Sequence, residues 1–380
     1  MFLVIQMNKK LSRFALNFRY SFRPGKPVLI WRLVKIVLKS WFVKYEGLRY
    51  VDFSLDFACN LKCEHCFATA LEDNDSARPK MTVKDYERVA KESMALGAVN
   101  FSFQGGETLM VKNLEEIISA CKPWRNVISV TTNGTLLTKE RAIKLRRLGV
   151  DIVTISLDSS IAGEHDKFRG GEAGVFDKAM QAIHNARNAG LNVTLGSVVT
   201  HESLHSEGIT GLFDLAKKLK VILVLIMPVP AGNWAGDKTI LLTKDDLDYI
   251  KNLTESTPYI RTDFQSNFGD YGCGAAKEIL YLTPYGDTLT CPFLHIGFGN
   301  VLDEPVSVIR DKALALPQFS GYHQKCLAST DEEFIEKYLS KTFHAKKSPM
   351  PWDEVFNNSS ASAKPPAGAK IEKSEVKTGL

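Results

Sequence analysis

Acidic residues are missing from the beginning of this chain. The 380 residues carry a formal net charge of +5, but no Asp or Glu occurs between Met1 and Tyr45, where ten Lys and Arg residues stand. The rest of the chain is therefore slightly acidic. Nucleic-acid-binding proteins more often spread basic residues over a folded face, so we expect no nucleic acid partner.

Cysteine is scarce, and its odd number argues against a disulfide framework. An apolar run precedes the first charges instead of following them, and no A-x-A cleavage site comes after it, so the order is wrong for a secretory signal. We therefore expect a cytoplasmic protein in a reducing compartment, where thiolates are available to bind metal. The seven cysteines are Cys59, Cys63, Cys66, Cys121, Cys273, Cys291 and Cys326.

No apolar run is long enough to span a bilayer comfortably. The best candidate, Pro27–Val43, is predicted to be a helix in which Arg32, Lys35 and Lys39 form one basic stripe. One interpretation is a helix lying on a membrane surface, which would make the protein peripheral at the inner membrane face. The other is a helix packed on the core with its cations exposed. The sequence alone does not choose between them.

Residues 50–230 alternate between β-branched apolar runs and helical stretches, and several of the helices end at glycine. Alternating β and α units predict a parallel sheet, either doubly wound or closed into a partial barrel. The predicted strands are Val51–Phe57, Val99–Phe103, Val127–Thr131, Asp151–Leu157, Leu191–Val199 and Val221–Met227. The predicted helices are Thr82–Leu96, Leu114–Cys121, Lys139–Leu148, Val175–Ala189 and Ile209–Leu219.

The regular alternation fades after Pro230. The stretch Ala231–Lys238 is typical of a linker, and Tyr271–Val308 is rich in Gly and Pro, which indicates hairpins and turns. From about residue 357 the composition predicts disorder. We therefore divide the chain into a basic amphipathic segment (1–49), an α/β domain (50–230), a loop-rich domain (231–335) and a C-terminal extension (336–380).

Three cysteines, Cys59, Cys63 and Cys66, follow the first predicted strand as C-x-x-x-C-x-x-C. Cysteine thiolates are the usual ligands of iron–sulfur clusters, and three of them leave one iron of a cubane without a protein ligand. That iron can bind a small chelating molecule. A structural zinc site is the alternative, but it needs four ligands, of which His65 could supply the last.

This cysteine loop resembles the signature of the radical S-adenosylmethionine superfamily, and further motifs match in the same order. They are Gly105-Gly106-Glu107, Thr131-Thr132-Asn133-Gly134, Ser156-Leu157-Asp158 and His165-Asp166-x-x-Arg169-Gly170 followed by Phe176. The resemblance covers about residues 50–330. It implies a partial (β/α)6 TIM-like barrel with a 4Fe–4S cluster on the three cysteines and S-adenosylmethionine on the open iron.

The resemblance also implies roles for individual residues. Gly105, Gly106 and Glu107 would hold the methionine amino group of S-adenosylmethionine. The remaining predicted contacts are Ser156 and Asp158 near the ribose, Arg169 at the carboxylate, Asn133 at the cofactor, and His65 near the adenine in a place that is usually aromatic.

The implied reaction is a reductive cleavage of S-adenosylmethionine to a 5′-deoxyadenosyl radical, which abstracts hydrogen from a substrate. An electron donor such as flavodoxin or ferredoxin would be a partner. The substrate class stays open between a peptide, a small molecule and a lipid-linked compound. A non-catalytic iron–sulfur electron carrier is the alternative of a different class.

The C-terminal cysteines resemble the auxiliary-cluster extension called SPASM, or its shorter twitch form. Cys273, Cys291 and Cys326 stand among Thr-Pro-x-Gly and Gly-Asn-Val turn motifs in the expected order. The resemblance implies three ligands for a second 4Fe–4S cluster, although the usual further cysteine beside Cys326 is missing. The alternative is three ordinary cysteines in a loop-rich domain. Cys121 lies in a predicted helix and is interpreted as a core thiol.

A zinc-protease motif, H-E-x-x-H, spans His201 to His205. Its chemistry needs both histidines on one face of a helix. Here the segment directly follows a predicted strand and Gly208 interrupts soon after, so we expect a strand-to-helix turn. A zinc hydrolase is therefore the weaker enzyme alternative.

Overall fold

The structure of the chain is a computed structural model that describes residues 20, 23, 25–42, 47–72, 78–263 and 272–356. The predicted disorder from residue 357 and most of the segment before Gly25 lie outside the described residues.

A single sheet of eleven strands forms the framework of the described residues, in the order β11-β10-β9-β8-β1-β2-β3-β4-β5-β6-β7. All six predicted strands are present. The strands are β1 (Tyr50–Ser54), β2 (Asn100–Gln104), β3 (Val127–Thr132), β4 (Ile152–Ser156), β5 (Asn192–Val198), β6 (Ile222–Ile226), β7 (Ile260–Thr262), β8 (Ile279–Leu282), β9 (Asp287–Leu289), β10 (Ile296–Asn300) and β11 (Met350–Pro351).

The predicted parallel sheet is confirmed, and it is wider than the six expected units. β1 to β6 pair in parallel, β7 adds to β6 in parallel, and β8 adds to the other side of β1 in parallel. The hairpins predicted in the Gly- and Pro-rich region are also confirmed, since β8, β9 and β10 pair antiparallel in succession. Parallel pairing requires a crossover, which the helices between the strands provide.

The helices that cross over the sheet match the predicted ones within two residues at each end. Local chemistry explains the boundaries: the Thr82 hydroxyl accepts a hydrogen bond from the Asp85 amide in a capping box, and Gly149 ends a helix with a left-handed φ of 99°. The helices are α1 (Pro27–Phe42), α2 (Thr69–Glu72), α3 (Val83–Ala95), α4 (Leu114–Ala120), α5 (Lys139–Leu148), α6 (Ala162–Phe168), α7 (Val175–Asn188), α8 (Glu207–Leu219), α9 (Lys244–Ser256), α10 (Val306–Leu314), α11 (Glu332–Lys337) and α12 (Trp352–Phe356).

The two faces of β1 illustrate how the strands divide the interior. Phe53 stacks on the rings of Phe101 and Phe103 in the apolar layer between sheet and helices. Asp52 alternates to the opposite face, where it lies level with Ser102 and Tyr281 and is only 6% exposed. Burial raises the pKa of Asp52 to about 7, although a hydrogen bond with Ser102 lowers it in part.

The N-terminal segment packs against the base of the sheet, meaning the end where β1 to β7 begin. Lys26 donates hydrogen bonds to the carbonyls of Asn126 (3.0 Å) and Gly149 (2.8 Å) and pairs with the buried carboxylate of Asp151. Arg23 pairs with the same carboxylate at 2.9 Å. α1 is thereby fixed to the base. None of the helices in the described ranges is long and apolar enough to cross a bilayer.

The predicted linker Ala231–Lys238 is wrong as a description of the structure. Ala231 is 3% exposed and Trp234 8%, and Gly232–Trp234 forms a 3₁₀ turn packed on the cysteine loop. The division of the chain at residue 230 stays a prediction. The sheet contains strands from before and after this residue, since β7 pairs with β6 and β8 pairs with β1.

Candidate active site

The cysteine loop lies at the end of the sheet where the parallel strands finish. Residues 55–68 follow β1 without regular structure, with Cys59 exposed and Cys63 and Cys66 partly buried, and all three thiols are free. The amide of Glu64 donates to the Phe168 carbonyl at 3.1 Å, which ties the loop to α6. The predicted position of the loop is therefore confirmed.

The loop rests on the turn that follows β2. The Gly106 amide donates to the Asp56 carbonyl (2.7 Å) and the Glu107 amide to the Ala58 carbonyl (2.9 Å). A Cβ atom at Gly106 would overlap the Ala58 carbonyl oxygen, and one at Gly105 would overlap that of Asp56. The two glycines therefore admit a backbone segment of the protein itself, a reason for glycine that sequence reasoning missed.

A second support for the loop comes from the 3₁₀ turn at Gly232–Trp234. Asn233 donates its amide to the Cys66 carbonyl (3.0 Å) and its Nδ2 to the Cys63 carbonyl (2.9 Å). A Cβ atom at Gly232, which has a φ of 62°, would overlap the Cys66 carbonyl oxygen. Sequence reasoning missed Asn233, and its position between Pro230 and Gly236 gave no signal beyond a turn.

Glu107 is 2% exposed and is held by three donors. Its Oε1 accepts from the Thr132 hydroxyl (2.6 Å) and the Leu109 amide (2.9 Å), and its Oε2 accepts from the Asn133 amide (2.8 Å). Burial raises the pKa of Glu107 and these donors oppose the rise. The side chain of Asn133 points at the cysteine loop, with Nδ2 3.9 Å from the Cys59 Sγ.

Asp158 and Arg169 form a buried pair beside the loop. The Arg169 Nε donates to the Asp158 Oδ2 at 2.6 Å, and its Nη1 lies 3.7 Å from the Cys63 Sγ. Burial opposes the charge on Asp158, but Arg169 and other neighbours outweigh it and lower the pKa of this carboxyl. The amide of Val198 donates to the Asp158 Oδ1 at 2.9 Å. Ser156 lies half-buried at the end of β4.

The ring of His65 stacks on Phe168 with 4.4 Å between centroids and an interplanar angle of 13°. Trp234 lies 5.9 Å away at a tilt of 50°. Burial lowers the pKa of His65 to about 3, so the ring is neutral at physiological pH, and its buried Nδ1 has no hydrogen-bond partner. A neutral, stacked ring is a poor candidate for a proton carrier and a good one for a flat packing surface.

The three thiols suit a soft metal centre by their chemistry. The three thiols lie within one short loop, and hydrogen-bond donors from Asn133 and Arg169 face the sulfurs of Cys59 and Cys63. Burial raises the pKa of the Cys59 and Cys63 thiols, so metal binding must displace their protons. No three His, Cys, Asp or Glu side chains within the described ranges converge on one point as they stand. The sulfurs would therefore have to turn inward to ligate.

A backbone bridge brings the segments of two C-terminal cysteines side by side. Cys273 lies on a backbone bridge with His323, three residues before Cys326, and Cys291 follows β9. Burial raises the pKa of each of these thiols, and the negative charge of Asp263 raises it further. Cys121, by contrast, is fully buried in the core beside α4, as predicted.

The H-E-x-x-H segment lies in a turn between β5 and α8, as predicted. The His201 Nδ1 lies 2.8 Å from the Asp246 Oδ2, and the His205 Nε2 lies 3.3 Å from the Asp246 Oδ1. Both histidines therefore hold the carboxylate that caps α9. This arrangement does not present the two rings on one helical face, as a zinc protease would.

Comparison with known proteins gives a consistent set of similarities. The model of the Radical SAM superfamily matches residues 56–209. The AdoMet-dependent heme synthase of Methanosarcina barkeri strain Fusaro is 30% identical over 295 residues, which cover 70% of this chain and 82% of that protein. The Fe-coproporphyrin III synthase of the same organism is 28% identical over 214 residues, which cover 56% of this chain but only 46% of that protein.

Among solved structures, that of Streptococcus suis SuiB bound to precursor peptide SuiA aligns with a TM-score of 0.56. The alignment covers 76% of this chain and 69% of SuiB at 19% sequence identity. At this identity the likeness concerns the fold alone.

Proposed function

Because the chain belongs to the radical S-adenosylmethionine superfamily, we propose that it is an enzyme that cleaves S-adenosylmethionine reductively and abstracts hydrogen from a substrate. The observation that carries the proposal is the cysteine loop placed at the strand ends against Glu107, Asn133 and the Asp158–Arg169 pair. These groups come from four consecutive strand ends, where ligands of parallel α/β folds bind.

Cys59, Cys63 and Cys66 would hold a 4Fe–4S cluster, which supplies the electron that splits the sulfonium compound into methionine and a 5′-deoxyadenosyl radical. Residues of the chain itself would hold the cysteine loop in place and stabilise its thiolates. Arg169 stabilises the thiolate of Cys63 by its positive charge. Asn233 binds the carbonyls of Cys63 and Cys66, and Gly105, Gly106 and Gly232 leave room for the backbone of the loop.

For S-adenosylmethionine we propose the contacts that the motifs imply. Gly105, Gly106 and Glu107 would receive the amino group, and the carboxylate of Glu107 is already oriented by three donors. Arg169 would share its charge between Asp158 and the substrate carboxylate. Ser156 and Asp158 would lie near the ribose, with His65 as a neutral flat surface near the adenine and Asn133 bridging to the loop.

We propose that Cys273, Cys291 and Cys326 hold a second 4Fe–4S cluster. The bridge between Cys273 and His323, three residues before Cys326, supports this, as do the free thiols of all three cysteines. The predicted parts 50–230 and 231–335, with the described beginning (336–356) of the predicted extension 336–380, would then be functional divisions of one packed body, because β7 and β8 from the second part complete the sheet of the first.

Only the names of similar proteins bear on the class of the substrate. One relative is named for heme synthesis and one structural neighbour binds a precursor peptide, so a porphyrin-like molecule and a peptide are the candidates to assay first. A reduced flavodoxin or ferredoxin would supply the electron. We place the protein in the cytoplasm, peripheral at the inner face of the membrane, with the basic N-terminal segment as the contact.

The experiment is anaerobic reconstitution followed by iron counting and an assay for 5′-deoxyadenosine with dithionite as reductant. We expect Cys63→Ala to abolish this product, while Cys121→Ala, a buried cysteine outside both groups, retains it. Bound iron without any 5′-deoxyadenosine would favour the electron carrier instead. Unchanged product from Cys63→Ala would refute the proposal.

A further inference from the structure

The base of the sheet and the opposite end differ in charge. The connections at the base (96–99, 121–126, 149–151, 189–191 and 220–221) contain one acidic residue, Asp151, and it is buried. The end of the sheet at the cysteine loop holds several, among them Asp56 in the loop itself and Glu164 and Asp166 on α6. Cations in the last turns of α5, α7 and α8 add to the positive charge of the base.

Helix dipoles explain only part of this pattern. Cations are favoured in the last turn of any helix, so Arg146, Arg147 and Arg187 have a structural reason to be there. Arg125 lies in a connection, as does Lys122, which pairs with Glu87 of α3 at 2.5 Å, and α1 contributes Lys35. The same dipoles disfavour acids in the connections that directly follow these helix ends, so the charge indicates a ligand only together with the apolar face of α1 and the cleft beside it.

The outward face of α1 is apolar. Trp31, Val34 and Leu38 follow one another at helical spacing and are 59%, 40% and 44% exposed, while Leu29 on the opposite face is fully buried. Lys35 lies beside this stripe, with its Nζ 5.2 Å from the centre of the Trp31 ring. A helix whose exposed face is apolar and flanked by cations matches a lipid interface.

A cleft extends this surface. Arg146, Arg147 and Trp124 line a space of about 340 Å³ together with Arg23 and Lys26. Arg146 repels the positive charges of Arg23 and Lys26, and these two residues pair with one buried carboxylate, that of Asp151. Trp124 is 54% exposed at the rim. Clustered cations suit the phosphate of a lipid headgroup, and an exposed indole suits the boundary between headgroups and acyl chains.

We propose that the base of the barrel is a docking surface for an anionic lipid bilayer. The stripe Trp31, Val34 and Leu38 enters the headgroup boundary, and Arg146 and Arg147 at the cleft bind the phosphates. α1 is bound to the base by Lys26, so the barrel cannot turn freely on this anchor. The cysteine loop at the other end of the strands therefore faces away from the bilayer, and substrate and reductant reach it from water.

The test is flotation of the reconstituted full chain with phosphatidylglycerol-containing vesicles and with pure phosphatidylcholine vesicles. We expect at least tenfold better recovery with the anionic vesicles, and a loss of binding at high salt. Arg146→Glu with Arg147→Glu should weaken binding at least tenfold. Lys84→Glu with Lys244→Glu, which makes the same charge change in the first turns of α3 and α9, should leave it within twofold.

The apolar contribution and the orientation have their own readouts. Trp31→Ser with Leu38→Ser should weaken binding at least tenfold, whereas Val308→Ser, an exposed apolar residue on α10, should not. Quenching by brominated lipid should fall in Trp31→Phe and stay unchanged in Trp234→Phe, which lies at the cysteine loop.

Three results would overturn the proposal: equal recovery with both kinds of vesicle, no effect of the Arg146 and Arg147 reversals, or binding to a nucleic acid duplex in place of vesicles. None of them bears on the production of 5′-deoxyadenosine, so the proposed catalytic function is tested separately.

Discussion

Replacing Gly232 by Ala tests whether the segment after β6 is part of the cysteine site. Gly232 has a φ of 62°, and its missing Cβ leaves room for the carbonyl oxygen of Cys66 and the backbone of Phe67. Both obstacles are backbone atoms, so they cannot move aside as a flexible side chain would. The substitution must displace either the 3₁₀ turn or the loop that carries the cysteines.

The chain offers a matched control at Gly236, which has a φ of 80° but an open environment. The nearest atom to a Cβ there is the Phe343 Cδ2 at 3.6 Å, an ordinary van der Waals distance. Both substitutions cost about 1–2 kcal/mol because Ala disfavours the left-handed region. Only Gly232→Ala adds an overlap, which we put at about 1–3 kcal/mol from the usual cost of overpacking.

Two measurements check this prediction. Denaturant unfolding should place Gly232→Ala about 1–3 kcal/mol below Gly236→Ala in stability. Iron per chain after anaerobic reconstitution should fall in Gly232→Ala and remain unchanged in Gly236→Ala, because only the first displaces Cys66. If the two variants agree in both measurements, the packing of this turn on the loop is not what positions the cysteines.

Three further predictions concern other parts of the molecule. The folded pKa of Asp52 is raised to about 7, so the native state keeps a proton that the unfolded chain releases, and stability should fall as pH rises from about 4 through 7. Asp52→Asn should remove this fall, which amounts to at most about 4 kcal/mol, as denaturant unfolding at pH 5 and pH 8 would reveal; an identical slope would contradict it. Arg169→Gln should lower the free energy of unfolding by about 3 kcal/mol, because it leaves the buried carboxylate of Asp158 without its cation, and a drop below about 1 kcal/mol would argue against the pair. Cys326→Ser should lose about half of the reconstituted iron and keep the remainder, whereas Cys121→Ser should lose none; full iron in the first variant would dismiss the second cluster.

Much of the fold was predictable because its signals are local. Strand and helix positions follow from β-branched runs, capping threonines and glycines such as Gly149, each of which acts within a few residues. The cysteine loop was predictable from the spacing of its three cysteines, and the strand-end motifs from their resemblance to those of the radical S-adenosylmethionine superfamily. Cys121 was recognisable as a core thiol from its place in an apolar helix.

What could not be predicted depends on contacts between distant parts of the chain. Nothing local in Asn233 indicates that it binds the carbonyl of Cys63 170 positions earlier. The addition of β8 beside β1 is equally invisible, because residues 279–282 look like any hairpin strand. The partnership of Asp246 with two histidines likewise required the fold, since the motif that contains those histidines suggested a different chemistry.

The pairing of Tyr50 with Ile279 has a consequence for biosynthesis. β1 emerges from the ribosome before β8, because the paired residues Tyr50 and Ile279 are 229 positions apart (279 − 50). Such long-range pairing closes slowly and leaves an unpaired strand edge in the nascent protein. Assembly of the inorganic centre beside that strand would therefore be safest after translation has passed β8, and a nascent chain stalled before it should be a target for chaperones.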